Sequence, residues 1–159
     1  MEIVCNQIEL NNAIQLVSKA VASRPTHPIL ANILLTADQG THKISLTGFD
    51  LNLGIQTSFD GTVKNSGAIT IPSKLLSEIV TKLPSDNPVL LEVDENSDNI
   101  LIKSDRGSFN LKGIPSDDYP NLPFVESGTS LNIDPNSFLK ALRSTIFASS
   151  NDDSKQLLT

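Results

Sequence analysis

A short apolar strand followed by an amphipathic helix occurs three times in this 159-residue chain, and that cadence restricts how its apolar faces can be buried. In the first copy, Met1 to Ala22, Glu2-Ile3-Val4-Cys5 reads as a strand. Leu10, Ile14, Val17 and Val21 then recur at helical spacing along a predicted helix Glu9 to Ala22. In the second copy Ala68-Ile69-Thr70-Ile71 is the strand and Pro72 takes the first helical position. Leu75, Leu76, Ile79, Val80 and Leu83 form its stripe, which Pro84 terminates. In the third, Leu131-Asn132-Ile133 is the strand, Asp134 the N-cap before Pro135, and Phe138, Leu139, Leu142 and Ile146 the stripe.

Between the first two helices the alternation changes to period two. It predicts strands Ile29 to Thr36, Lys43 to Thr47 and Leu51 to Thr57, with Asp38-Gln39-Gly40 as a hairpin turn. After the second helix the arrangement repeats as Val89 to Val93, Ile100 to Lys103 and Ser108 to Lys112, with Glu95-Asn96-Ser97-Asp98 as the turn. Each half therefore reads β-α-β-β-β, and two halves fill the chain to about Pro120. The expected class is α+β, a doubled β-α-β-β-β unit with two helices on one face of antiparallel sheets. Pro123 to Gly128 reads as a linker. The third copy has no strands to cover Phe138, Leu142 and Ile146, and a lone strand and helix cannot bury that face. It is expected to be the interrupted opening of a further repeat and the least stable part of the chain.

The chain holds 12 Lys plus Arg against 18 Asp plus Glu, a formal charge of −6, which excludes a uniformly basic protein that coats nucleic acid. That sum conceals a segregation. The three predicted helices carry Lys19, Lys74, Lys82, Lys140 and Arg143 against Glu9 and Glu78, a net of +3, which leaves −9 on strands and loops. Arg24, directly after the first helix, adds to the helical face, and Asn12, Gln15, Ser18, Ser77, Thr81 and Ser144 make that face rich in amides and hydroxyls. If the helices share one side, the molecule has a cationic face suited to a polyanion. With no Trp, one Tyr and six Phe there are almost no stacking platforms, so such a face would contact phosphates and leave the bases unread. The plain alternative is that these basic residues are simply solvated.

Other motifs resolve to ordinary roles. One cysteine, Cys5, cannot form an internal disulfide and reads as a small core residue. No apolar stretch is long enough to span a bilayer, and Met1-Glu2-Ile3-Val4 is neither a basic leader nor a secretion segment, so the cytosol is the expected compartment. His27 and His42 lack the spacing and the Cys or Asp neighbours of a metal site. Asp94, Glu95 and Asp98 lack the glycine and closing glutamate of a calcium loop. Asp117-Asp118 and Asp152-Asp153 are adjacent loop carboxylates with no nucleophile or phosphate-cradling loop beside them, and no active site is expected.

Arg24-Pro25-Thr26, Pro28-Ile29-Leu30, Asn32 and Leu34-Leu35 form a segment that resembles the signature of the bacterial β sliding clamps, the processivity subunits of DNA polymerase III. The resemblance continues in order through Ser45-Leu46-Thr47-Gly48, Asp50-Leu51, Ile71-Pro72-Ser73-Lys74-Leu75, Phe109-Asn110-Leu111, Gly113-Ile114-Pro115 and Asp118-Tyr119-Pro120-Asn121-Leu122-Pro123. It implies the DNA clamp fold: a ring of two chains, each of three similar domains, with helices lining the hole and sheets forming the wall. Residues 1–122 would be the N-terminal domain, 123–128 the linker and 129–159 the truncated start of the central domain. By position, the resemblance implies DNA contact for Arg24, Lys74 and Lys140, and places Phe109 and Leu111 on the edge strand that meets the partner chain's third domain. Two stretches depart from the pattern. His27 stands where the family has an apolar residue, so the Arg24 loop is expected to pack differently, and Asn151 to Gln156 replaces a stretch that carries aromatic DNA contacts in some clamps.

The function so implied is a non-catalytic processivity factor, a homodimer ring that encircles double-stranded DNA without sequence preference. The DNA polymerase III catalytic subunit and the clamp loader are the expected partners, with no cofactor, metal or membrane. A closed ring holds DNA topologically, so weak, quickly exchanged phosphate contacts let it slide, and the tethered polymerase meets its template at high effective concentration. Two other classes stand against this reading: a β-rich self-assembling scaffold that joins through the 108–112 edge without DNA, and a small hydrolase built on the acidic pairs.

Overall fold

The computed structural model describes residues 1–22, 25–94, 97–123 and 127–150, in two compact units that part between Leu122 and Pro123. The first unit runs β1 (Glu2–Asn6), α1 (Gln7–Val17), β2 (Asn32–Asp38), β3 (Lys43–Phe49), β4 (Gly54–Asp60), β5 (Thr62–Asn65), β6 (Gly67–Pro72), α2 (Ser73–Lys82), β7 (Pro88–Asp94), β8 (Asn99–Ser104) and β9 (Gly107–Lys112). Its strands pair antiparallel in two sheets, of order β5-β1-β7-β8-β9 and β4-β3-β2-β6. The α+β class and the doubled unit are as expected, but the halves are interlocked. β1 of the first half lies beside β7 of the second, and β6 of the second lies beside β2 of the first. Periodicity marks which residues face inward and carries nothing about which strand lies next door, so this exchange is invisible in it.

One strand was not expected. β5 holds a single buried residue, Val63, and follows β4 after Gly61, where the chain leaves one sheet for the other. A Cβ at Gly61 would stand 2.4 Å from Ile44 Cδ1 and 3.1 Å from the Val4 carbonyl oxygen, so a side chain at the crossing would require the Ile44 side chain to move and the Val4 backbone to give slightly. Both sheets and both helices contribute to one core: Ile3, Ile100 and Ile102 from the five-stranded sheet, Ile33, Leu46 and Ile71 from the other, Leu10 and Ile14 from α1, and Leu76 and Val80 from α2.

Local chemistry shifts several boundaries. Asn6, the last residue of β1, accepts the Ile8 N–H at 2.8 Å and caps α1, so the helix starts before Glu9. It tightens into a 3₁₀ turn at Ser18–Ala20 and stops short of Ala22, which leaves Val21 half-buried. Pro72 still pairs with Asn32 and is the N-cap of α2, not its first helical residue. Leu76, Ile79, Val80 and Leu83 are buried as expected, whereas Leu75 is 44% exposed. Pro28–Ala31 forms a 3₁₀ turn, closed by the Leu30 N–H on the His27 carbonyl, and so β2 begins only at Asn32. The Asp50 carboxylate accepts the N–H groups of Asn52 (2.9 Å) and Leu53 (2.7 Å), which hold its pKa below the usual carboxylate range. That turn carries Leu51 at φ +77° and delays β4 to Gly54. Glu95 and Asn96 of the expected turn lie outside the described residues.

In the second unit α3 (Pro135–Thr145) starts as expected, with Pro135 in its first turn and the Asp134 carboxylate accepting the Ser137 N–H at 2.8 Å. Leu131 to Ile133 is not a strand. No described strand lies beside it, and Leu131 and Ile133 are 77% and 55% exposed. The α3 stripe of Phe138, Leu139, Leu142 and Ile146 is likewise exposed. No helix among the described residues is long and apolar enough to cross a membrane.

Burial, and secondarily the charge of Glu9, push the Cys5 thiol up from 9.0 to about 12; burial likewise pushes the Tyr119 hydroxyl up from 10.0 to about 12. Both acids are harder to ionise in the folded chain, so the stability they confer is complete below their unfolded pKa values and is lost as pH rises toward 12. Urea unfolding at pH 8 and pH 10 should show stability falling with pH, and Cys5→Ala should remove about 1 kcal/mol of that fall. An equal fall in the variant would remove Cys5 as a cause.

Candidate nucleic-acid interface

The polar sides of α1 and α2 meet in a hydrogen-bonded seam. Thr81 Oγ1 donates to Asn11 Oδ1 at 3.3 Å, Gln15 Nε2 donates to Ser77 Oγ at 3.1 Å, and the hydroxyls of Ser18 and Ser73 stand 3.0 Å apart. Rising numbers along α1 meet falling numbers along α2, at one helical turn per step, so the helices lie side by side and antiparallel. Deeper in the same contact, the buried Gln7 donates from Nε2 to the Val80 carbonyl at 2.7 Å. Gln15, Ser18, Ser77 and Thr81, expected as free polar surface, thus tie the two helices together. Gln7 was not identified from sequence, because its partner lies 73 residues away.

Cations are placed differently on the two kinds of element. On the strands, Lys43 bonds Asp60 directly opposite it at 2.7 Å, Lys103 bonds Glu92 one diagonal away at 3.0 Å, and Lys64 bonds Glu2. On the helical side Lys19, Lys74 and Lys82 are exposed and have no carboxylate within ion-pair distance among the described residues. Glu9 and Glu78 share this side, so its net charge is weakly positive. Those three strand lysines answer to the sheet's own carboxylates; Lys112 at the end of β9 and the helical lysines are left to solvent or to an anion.

Lys74 stands at a cleft of about 570 Å³ between the end of α1 and the start of α2, lined also by Ser18, Ala22, Pro25 and Ser77. Arg24 lies outside the described residues, between two of those cleft residues in sequence. Lys140 is exposed on α3 in the second unit. β9 is an edge strand, and Phe109 on it is 40% exposed. Leu111 differs from its partner in the expectation. It sits opposite Ile100 and is only 6% exposed, so its side chain belongs to the core. His27 lines an apolar cavity of about 600 Å³ with Leu30, Leu51, Ile114 and Asp118. Residues 151–156 lie outside the described residues. Among the described residues no three His, Cys, Asp or Glu are grouped to hold a metal ion.

Residues 1–123 match the family described as DNA polymerase III beta subunit, N-terminal domain. Over its whole length the chain is 50% identical to a beta sliding clamp of Synechococcus elongatus, of which it spans 42%, and 34% identical to that of Bacillus subtilis, of which it spans 43%. The crystal structure of the DNA polymerase sliding clamp from Bacillus subtilis superposes with a TM-score of 0.90 at 32% identity, covering all of this chain and 43% of that one. The DNA polymerase III subunit beta of Pseudomonas aeruginosa gives a TM-score of 0.87 at 28% identity, covering 98% of this chain and 41% of that one. The chain thus spans less than half the length of these relatives. By sequence and by fold, it belongs to the beta sliding clamps, a family of non-catalytic processivity subunits, and carries their N-terminal domain.

Proposed function

We propose that this chain supplies the first domain of a ring that encircles duplex DNA in the cytoplasm and tethers the replicative polymerase, with residues 129–159 as the opening of the next domain. The contrast between the paired strand lysines Lys43, Lys64 and Lys103 and the unpaired Lys19, Lys74 and Lys82 carries this reading: it leaves positive charge unneutralised along the α1–α2 side, and on the described strands only at Lys112 at the edge of β9. In the proposed ring that side faces the DNA, with Lys74 meeting phosphates beside the cleft and Lys140 doing the same from the next domain; Arg24 is proposed as a further phosphate contact from the family resemblance alone. Such long, solvated side chains exchange phosphates quickly, and the tied helix pair presents no element that enters a groove, so the ring slides without reading bases. Phe109 and the edge of β9 close the ring against a partner clamp chain. The polymerase catalytic subunit and the clamp loader are the other partners proposed.

The test uses the complete protein. Loaded on plasmid DNA, it should sediment with closed circles and be lost once the plasmid is linearised; equal retention on both forms would defeat the ring. Lys74→Glu should leave the thermal unfolding profile unchanged and lower retention on circles roughly three- to tenfold at moderate salt, with a shallower salt dependence. Wild-type retention across the whole salt titration would remove Lys74 from the interface.

A further inference from the structure

Three short segments, each pinned by the fold, build the apolar cavity at His27. Leu30, the most buried of its lining residues at 3% exposure, comes from the 3₁₀ turn that closes on the His27 carbonyl. Ile114 is fixed by two bonds of 3.0 Å between its own N–H and C=O and those of Thr70 on β6. Asp118 follows on the same segment, anchored by its neighbour Tyr119, whose hydroxyl bonds the Thr47 carbonyl. Leu51 is supplied by the Asp50 turn. Nothing local favours a leucine there. At φ +77° a glycine would be unstrained, and at 55% exposure the side chain adds little to the core. An apolar side chain held at backbone strain beside an open cavity points to something that covers it.

Charge states what kind of partner fits. The lining segments 27–30, 50–53 and 114–120 hold Asp50, Asp117 and Asp118 and neither Lys nor Arg. Asp118 has no cation within ion-pair distance among the described residues, and its side chain and that of His27 make no hydrogen bond there. The rim is therefore anionic, the reverse of the α1–α2 side, and repels a nucleic acid. Pro25 and Ala31, on either flank of the same stretch, line the Lys74 cleft instead, so the two sites are distinct. We propose that this cavity docks a peptide segment of a partner protein, which seats an apolar side chain of leucine size against Leu30, Leu51 and Ile114 and sets an adjacent lysine or arginine on Asp118. The cavity, about 600 Å³, has a wide mouth, since His27, Leu51, Ile114 and Asp118 are all exposed. A small molecule would stay largely wet in it, whereas a side chain on an extended segment is covered by its own backbone. With its walls pinned beforehand, the site spends little free energy on ordering. This goes beyond the ring reading and does not rest on it.

The test titrates the isotope-labelled 159-residue chain with short capped peptides that carry one central pair between glycine and serine flanks: leucine–arginine, leucine–glutamate or alanine–arginine. The leucine–arginine peptide should shift the amide resonances of Leu30, Leu51 and Ile114 saturably, with a Kd on the order of 1 mM. Each of the other two should bind at least about fivefold more weakly, one for want of the apolar anchor and one for the wrong charge at Asp118. Asp118→Asn should abolish the preference for arginine over glutamate. Leu51→Gly, which suits the positive φ, should weaken the leucine–arginine peptide at least about threefold and leave the thermal midpoint within about 4 °C. Absence of shifts at about 10 mM peptide, shifts centred away from the cavity, or equal affinity for the arginine and glutamate peptides would overturn the proposal. None of these readouts involves plasmid retention by the complete protein, so the two readings fail separately.

Discussion

Gly48→Ala is expected to destabilise the first unit by about 3 kcal/mol, read as a lower urea midpoint at unchanged slope in far-ultraviolet circular dichroism. Gly48 lies on β3 directly beneath the last turn of α1. A Cβ there would stand 2.2 Å from the Val17 carbonyl oxygen and 3.1 Å from the carbonyl carbon, both backbone atoms that cannot rotate away. Val21 Cγ2 at 3.3 Å closes the remaining space. Nor is β3 free to retreat: its neighbours β2 and β4 bond it on both sides, and the buried Tyr119 hydroxyl donates to the Thr47 carbonyl at 3.2 Å. Relief therefore requires α1 to lift from the sheet, which also strains its seam with α2. A loss below about 1 kcal/mol would mean that the end of α1 moves far more easily than this packing implies.

The second large effect separates two adjacent leucines. Leu76→Ala is expected to cost about 3 kcal/mol, through lost burial and the cavity left among both sheets and both helices, because Leu76 is 1% exposed within the shared core. Leu75→Ala should cost less than about 0.5 kcal/mol, since that side chain is 44% exposed. Comparable losses at the two positions would mean that α2 is rotated from the orientation described.

That pair also shows how far hydrophobic periodicity reaches. Both leucines belong to the apolar stripe, and 3.6-residue spacing admits both to a face about 100° wide. Which of them is inside depends on where α1 and the sheets stand around α2. The same limit applied to β9, where Phe109 and Leu111 alternate identically in sequence and both face β8, yet only Leu111 joins the core while Phe109 is left at the rim. The lysines divide in the same way: their positions were legible, but their pairing with Asp60, Glu92 and Glu2 depends on strands brought together from distant parts of the chain.

By itself the sequence determined the α+β class, the doubled repeat, the Asp134 cap, the stripes of the first two helices apart from Val21 and Leu75, and the family, because caps, spacing and signature residues are local properties of neighbouring side chains. The tertiary structure decided the exchange of β1 and β6 between halves, the bend at Gly61 that creates β5, the polar seam between α1 and α2, and the absence of a strand at 131–133. Each of these turns on which backbone hydrogen bonds and cavities are filled by residues remote along the chain, and a strand exists only where a neighbour accepts its hydrogen bonds.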